Sequence, residues 1–255
     1  MFSGSIRKPR RLVAGFLTLL CLASSAFAFS FAVFGDNHRN DELLDLIIDR
    51  LNKDPEIAFT VNLGDFVLNG KKEEYLAFNQ KVKRLKKPLF NVLGNHDGVN
   101  GGWRIFQRTY GPLYYAFDHD DCRFIILNNA FKESFDAVQF AWLKKELAAA
   151  RNKKIFVFMH KPLFDPSEIY QHYVMSGRAV TEELMKLFEK YRVRYVFAGH
   201  VHGYARSERK GVVYVVSAGA GAPLYLPREL GGFYNYVKIT VKGDSIADQV
   251  IRPYE

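Results

Sequence analysis

Five apolar runs in this chain each end on a short polar motif built from Asp, Asn and His. FAVF, FTVNL, LFNVL, IFVFM and YVFA lead into Gly35-Asp36-Asn37-His38, Gly64-Asp65, Gly94-Asn95-His96-Asp97, His160 and Gly199-His200-Val201-His202. Short apolar runs bounded by turn signals read as buried strands. Between them lie segments of helical period. Residues 41–52 place Leu43, Leu44, Ile47, Ile48 and Leu51 on one face, behind acidic residues at the start. Residues 71–83, 137–150 and 181–191 read as further helices. Strand–helix alternation at this spacing is the rhythm of a mainly parallel α/β sheet.

In such sheets the binding crevice lies beyond the carboxyl ends of the strands, where all five motifs sit. In four of them a glycine precedes the first polar residue. Glycine permits positive φ and close backbone approach, so the chain can turn sharply there. Residues two apart in extended chain point the same way. Asp36 and His38 can therefore reach one ion, while His200 and His202 share a face and can serve neighbouring ions. Imidazole and carboxylate donors with no thiolate suit Zn, Mn or Fe rather than Ca. Two such ions side by side handle phosphate esters well.

The remaining segments complete one domain over 29–255, with 29–34, 57–63, 88–93, 155–159 and 195–198 as the motif-bearing strands. Residues 114–117 and 123–127 read as a hairpin turned by His119-Asp120-Asp121, which leaves His119 solvated. The strands 212–216, 234–241 and 246–251 make the end of the chain β-rich, the last two joined at Lys242-Gly243-Asp244. Gly219-Ala220-Gly221 lacks the Lys-Ser/Thr of a phosphate-binding loop and reads as a turn. Residues 98–111 and 161–179 are too long for simple connections, and long ordered loops are often binding loops. The second holds Tyr170, His172, Tyr173 and Arg178, candidate substrate contacts. Arg104 and Arg108 in the first read as solvated.

Residues 1–28 read as a secretory signal peptide. Arg7, Lys8, Arg10 and Arg11 precede an uncharged run that closes on Ala26-Phe27-Ala28, a small-x-small cleavage pattern. The competing reading is a retained membrane anchor, since no charge occurs between Leu12 and Gly35. The first strand must start at once after Ala28, which favours cleavage and leaves no stable membrane span. The signal carries four basic residues and no acid, so the formal charge of +9 falls to +5 without it. That excess suits an anionic small molecule. The basic clusters at 81–87 and 151–154 read as solvated helix ends and give no nucleic-acid signature. Cys21 leaves with the signal, and Cys122, alone, reads as a small core residue.

The ordered set D-x-H, GD, GNHD, H and GHxH resembles the calcineurin-like metallophosphoesterase superfamily across essentially the whole mature chain. The resemblance implies a double β-sandwich flanked by helices. It implies one metal held by Asp36, His38, Asp65 and His202, and another by Asp65, Asn95, His160 and His200. His96 would then be the acid at the leaving group, with Asp97 as its orienting partner, in a hydrolysis begun by in-line attack of a metal-held hydroxide. The same core fits monoester, diester, cyclic-nucleotide and nucleotide-sugar hydrolysis, and a nuclease. A non-catalytic scaffold would require lost ligands, and every ligand is present. Purple acid phosphatases resemble this series but carry GDxxY, with the Tyr on ferric iron; here Leu68 takes that place.

Overall fold

The computed structural model describes Met1, residues 28–38 and residues 40–255. The leader read over 1–28 lies outside the described residues except at its two ends. Eleven strands and six helices follow among the described residues. They are β1 (Ala28–Phe34), α1 (Asp41–Lys53), β2 (Ile57–Asn62), α2 (Lys72–Val82), β3 (Leu89–Asn91), α3 (Asn95–Gly98), α4 (Gly102–Tyr110), β4 (Tyr115–His119) and β5 (Cys122–Ile126). Then come α5 (Ala137–Ala149), β6 (Lys154–Met159), α6 (Arg178–Lys190), β7 (Tyr195–Ala198), β8 (Tyr204–Arg209), β9 (Val212–Ser217), β10 (Tyr236–Lys242) and β11 (Ser245–Ile251).

The strands form two sheets, β11-β10-β1-β2-β3 and β4-β5-β6-β7-β9-β8. Pairing within β1-β2-β3 and within β5-β6-β7-β9 is parallel. Antiparallel strands occupy the β11, β4 and β8 edges, while the β3 edge is parallel. The sheets pack face to face, because alternate residues of each strand are apolar on both faces. Phe31 and Val33 point into the interface with Phe59, Phe124, Phe156, Phe158 and Phe197. The ring of Phe31 meets Phe124 and Phe156 edge-on at 5.3 and 5.2 Å, the geometry that aromatic quadrupoles favour. Ala32 and Phe34 face the other way, onto α1, α2 and α4. Ile155, Val157 and Met159 face α5 and α6. The result is the expected double sandwich flanked by helices. Burying one such Phe contributes about 1.5–3 kcal/mol.

Several local readings change. Residues 102–110 form a helix rather than a loop, entered through left-handed Asn100 and Gly101; Arg104 and Arg108 are exposed on it. β8 is an edge strand whose charged residues Arg206, Glu208 and Arg209 mask its apolar pattern in the sequence. His119 belongs to β4, and its ring packs 4.5 Å from Phe29 and 5.3 Å from Phe59, not in solvent. Part of each basic cluster forms surface ion pairs: Lys81 and Arg84 reach Asp45 of α1 at 2.7 and 2.6 Å, and Lys153 reaches Asp118 at 2.8 Å. Cys122 is buried, as expected. No helix among the described residues is long and apolar enough to cross a membrane.

Candidate metal centre

The carboxyl ends of β1, β2, β6 and β7 meet at one edge of the sandwich. Backbone bonds hold them there: Asp36 N to Gly64 O at 2.9 Å and Gly199 N to His160 O at 2.9 Å. The His160 side chain links the sheets, its Nδ1 donating to Leu63 O at 2.9 Å. The predicted ligand residues themselves are turned inward by the backbone. Asp36, His38, Asp65 and His200 have φ of 63°, 42°, 54° and 69°. Non-glycine residues in this region cost about 1–3 kcal/mol each and cluster at functional sites. The glycine argument from sequence therefore shifts. Of the four motif glycines only Gly64 has positive φ; the others provide room. A Cβ on Gly94 would lie 2.1 Å from Asp65 Oδ1 and 2.2 Å from Asp65 N.

That clearance yields a prediction. Gly94→Ala should push the Asp65 loop from its place and lower kcat on any phosphate ester by about 10²-fold, the usual scale for an ångström of misplacement. Metal content and kcat measured together check it; an unchanged kcat would show that the approach is dispensable.

All seven predicted ligands converge. Donor atoms of Asp36, His38 and His202 lie within 4.8 Å of one another, as do those of Asp65, His160 and His200. Asn95 Oδ1 is 3.0 Å from His160 Nε2. Asp65 stands between the groups, its Oδ2 3.5 Å from His38 Nε2 and 3.2 Å from His160 Nε2. Backbone carbonyls fix two tautomers. His160 Nδ1 donates to Leu63 O, and His202 Nδ1 donates to Pro223 O at 2.7 Å, so Nε2 of each faces inward.

The charges ask for cations. Burial pushes Asp36 well above the carboxylate range, with His160 pulling down and Asp65 pushing up. Burial acts upward on Asp65 too, yet His160 and His38 hold it well below that range. Burial acts to lower His160, but Asp65 and Asp36 lift it to about 9. Without metal, a proton on that ring neutralises the carboxylates where a cation would sit. Burial, then the neighbouring His160, lowers His200 to about 2. Burial, then His38, lowers His202 to about 4. Both offer neutral nitrogens at ordinary pH, as metal ligands must.

His96 stands at the mouth of the centre. Its Nδ1 donates to Leu68 O at 2.8 Å, and its ring lies 4.6 Å from that of His38. It is also near enough to His38 and Asp65 to form a third donor group with them. Asp97 does not hold the ring. Its buried carboxylate accepts the amides of Asp65 and Gly94 at 2.8 Å and those of Phe66 and Val67 at 3.0 Å. Burial and the charge of Asp65 push it up to about 7 against the pull of those amides. Successive residues on a helical turn do not face each other, so Asp97 clamps the Asp65 loop while the Leu68 carbonyl orients His96.

Some contributors were not singled out from sequence. Asn129 Oδ1 accepts the amides of His160 and Lys161 at 3.0 Å, and its Nδ2 donates to Lys161 O at 2.7 Å. It too ends an apolar run, FIILNN, which was the available signal. Lys161 is half-buried next to His160, and burial lowers it against the pull of Asp65. The 219–221 turn buttresses the first motif, with Ala220 N on Gly35 O at 3.0 Å and Ala222 N on Asp36 O at 2.7 Å. Arg178, by contrast, starts α6 and pairs with Glu182 at 2.8 Å.

A double sandwich with a two-centre His/Asp/Asn cage at its strand ends defines a dinuclear metal-binding class. Within it, the chain belongs to the calcineurin-like phosphoesterase family, whose model matches residues 29–204. It is 30% identical to purple acid phosphatase 23 of Arabidopsis thaliana over 62% of this chain and 37% of that one. It is 29% identical to a probable glycerophosphodiester phosphodiesterase of Arcobacter nitrofigilis, over 63% of this chain and 62% of that one. The fold matches a dimetal phosphatase from Danio rerio with TM-score 0.72 at 13% identity, covering 88% of this chain and 96% of that one. The chain thus spans about a third of the length of the Arabidopsis relative.

Proposed function

We propose that this protein is an exported hydrolase of phosphate mono- or diesters that works with two transition-metal ions, Mn, Fe or Zn. The observation that carries the reading is the complete donor cage around Asp65 with His96 beside it, its Nε2 without a hydrogen-bond partner among the described residues. Two bound cations supply an activated water nucleophile at neutral pH and neutralise charge on the phosphoryl oxygens. Asp36, His38, Asp65 and His202 hold one of them, and Asp65, Asn95, His160 and His200 the other. His96, held through Nδ1 by Leu68, keeps Nε2 free to pass a proton to the departing oxygen. Asp97 keeps the Asp65 loop closed on α3 throughout. Relatives named for monoester and for diester hydrolysis support both ester classes equally. Turnover of a panel of phosphomono- and phosphodiesters by metal-reconstituted protein tests the reading. Failure on the whole panel at full metal occupancy overturns it.

Export rests on the basic start, the apolar run and Ala26-Phe27-Ala28. Mature protein should begin within a residue or two of Phe29, as intact-mass analysis of exported protein will report. A membrane fraction retaining Met1 would indicate an anchor instead.

Colour separates this chain from its purple relatives. Leu68 is 40% exposed and contributes its carbonyl to His96, not a phenolate to a metal. Iron-loaded protein should lack an intense phenolate band in its visible spectrum. A strongly purple preparation would place a tyrosine on the metal.

A further inference from the structure

Two segments without metal ligands close over the histidine side of the centre. The 161–177 segment is tied down by Asp165, fully buried, whose carboxylate accepts the amides of Ser167, Ile169 and Tyr170 at 2.9, 3.1 and 2.7 Å. Met175 N closes it on Pro162 O at 2.8 Å. The second segment is pinned by Tyr225 N on His202 O at 2.9 Å. Tyr170 Oη donates to Tyr225 O at 2.9 Å and joins the two.

This stitching gathers three tyrosines at the rim. Ring centroids are 5.7 Å apart for Tyr170 and Tyr173, 5.4 Å for Tyr173 and Tyr225, and 5.8 Å for Tyr170 and Tyr225. Tyr225 stacks on the ligand His202 at 4.0 Å and 25°, and Tyr173 stands 6.0 Å from the ligand His200. Phe31, Phe124, Phe156, Phe158 and Phe197 between the sheets are buried, whereas all three tyrosines keep part of their surface open. A cavity of about 910 Å³ elsewhere, walled by Trp103, Tyr114 and Phe131, includes none of the seven ligands.

We propose that Tyr173, backed by Tyr170 and Tyr225, is a stacking platform for a planar ring of the substrate, making nucleotides the substrate class of this centre. The proposal rests on the hydrolase reading and deepens it. Every nucleobase presents a π-face that a tyrosine accepts without base-specific hydrogen bonds. Tyr173 stands beside His200 at the edge of the cage, 6.0 Å between ring centroids, so a phosphate at the cage and a base on the rim can belong to one molecule. Rigid tethering by Asp165 means the platform is formed before binding and costs little to order.

The test uses metal-loaded protein and two readouts. By calorimetry, the non-hydrolysable phosphonate analogue of adenosine 5′-monophosphate should bind about tenfold tighter than methylphosphonate, the scale of one stacked base. Tyr173→Ala should abolish that margin, leaving methylphosphonate affinity and metal content unchanged; Tyr173→Phe should keep it. Tyr173→Leu, which retains apolar bulk, should behave like the alanine variant. In turnover, Tyr173→Ala should raise KM for the nucleotide about tenfold with kcat and glycerol phosphate hydrolysis unaltered. No margin in the wild type overturns the platform, even if glycerol phosphate is hydrolysed. Equal losses on both ligands with metal loss also overturn it, assigning Tyr173 to the support of His200. A Tyr173-dependent margin in protein that hydrolyses neither ester keeps the platform and removes the hydrolase reading instead.

Discussion

Asp65→Ala should purify with well under two transition-metal ions per chain and lose phosphoesterase activity on the order of 10³-fold or more, since one lost charge-stabilising donor alone costs roughly 10²–10³-fold. The size follows from position. Asp65 Oδ2 lies within 3.5 Å of a nitrogen from each predicted ligand group, His38 and His160. Its Oδ1 also accepts the amide of His96 at 2.8 Å, so the alanine additionally frees the start of α3. Asp65→Asn separates the effects, because an amide oxygen can still accept that amide while the bridging charge is gone. Elemental analysis with kcat on both variants decides the matter. Two retained ions in Asp65→Ala would remove Asp65 from the bridging role and leave the cage unexplained.

The strand ends were legible because parallel strands buried on both faces are continuous apolar runs, and each stops where its polar ligand begins. Asp36, His38, Asp65, Asn95, His160, His200 and His202 accordingly fall together in space as their order in sequence implies. What sequence hid was carried by backbone. The carbonyls of Leu63, Leu68 and Pro223 that orient His160, His96 and His202 have no residue code. The left-handed φ at four of the predicted ligands cannot be read from residue type, although Asp and His adopt it more readily than most non-glycine residues. The helix at 102–110 passed for a loop because its start is glycine-rich and it buries only Gly102 and Phe106. Asp97 invites a pairing with its neighbour His96, yet its carboxylate finds four amides, three on the 65–67 turn and one at Gly94, the N-cap of its own helix. The aromatic rim needed tertiary structure altogether, since Tyr225 is 52 residues beyond Tyr173 in the chain.

His96→Ala should keep both metals and lose about 10²–10⁴-fold in kcat/KM on alkyl phosphate esters, the range of general-acid contributions. The loss on nitrophenyl esters should be much smaller, because nitrophenolate departs without a proton while an alkoxide does not. The geometry behind this is specific. Nδ1 is committed to Leu68 O at 2.8 Å, which leaves Nε2 as the nitrogen that can carry a proton to substrate. The His38 and His96 rings stand 4.6 Å apart, so a phosphate ester held at the cage would have its departing oxygen within reach of that nitrogen as the bond to phosphorus breaks. The same closeness lets His96 join His38 and Asp65 as a donor group, so metal content must be read in the same preparations. Equal losses on both ester classes with metals intact would make His96 a residue that positions phosphate. Lost metal would make it a ligand, and His96→Gln, which keeps a polar group but no titratable proton, then distinguishes a donor to metal from a donor of protons.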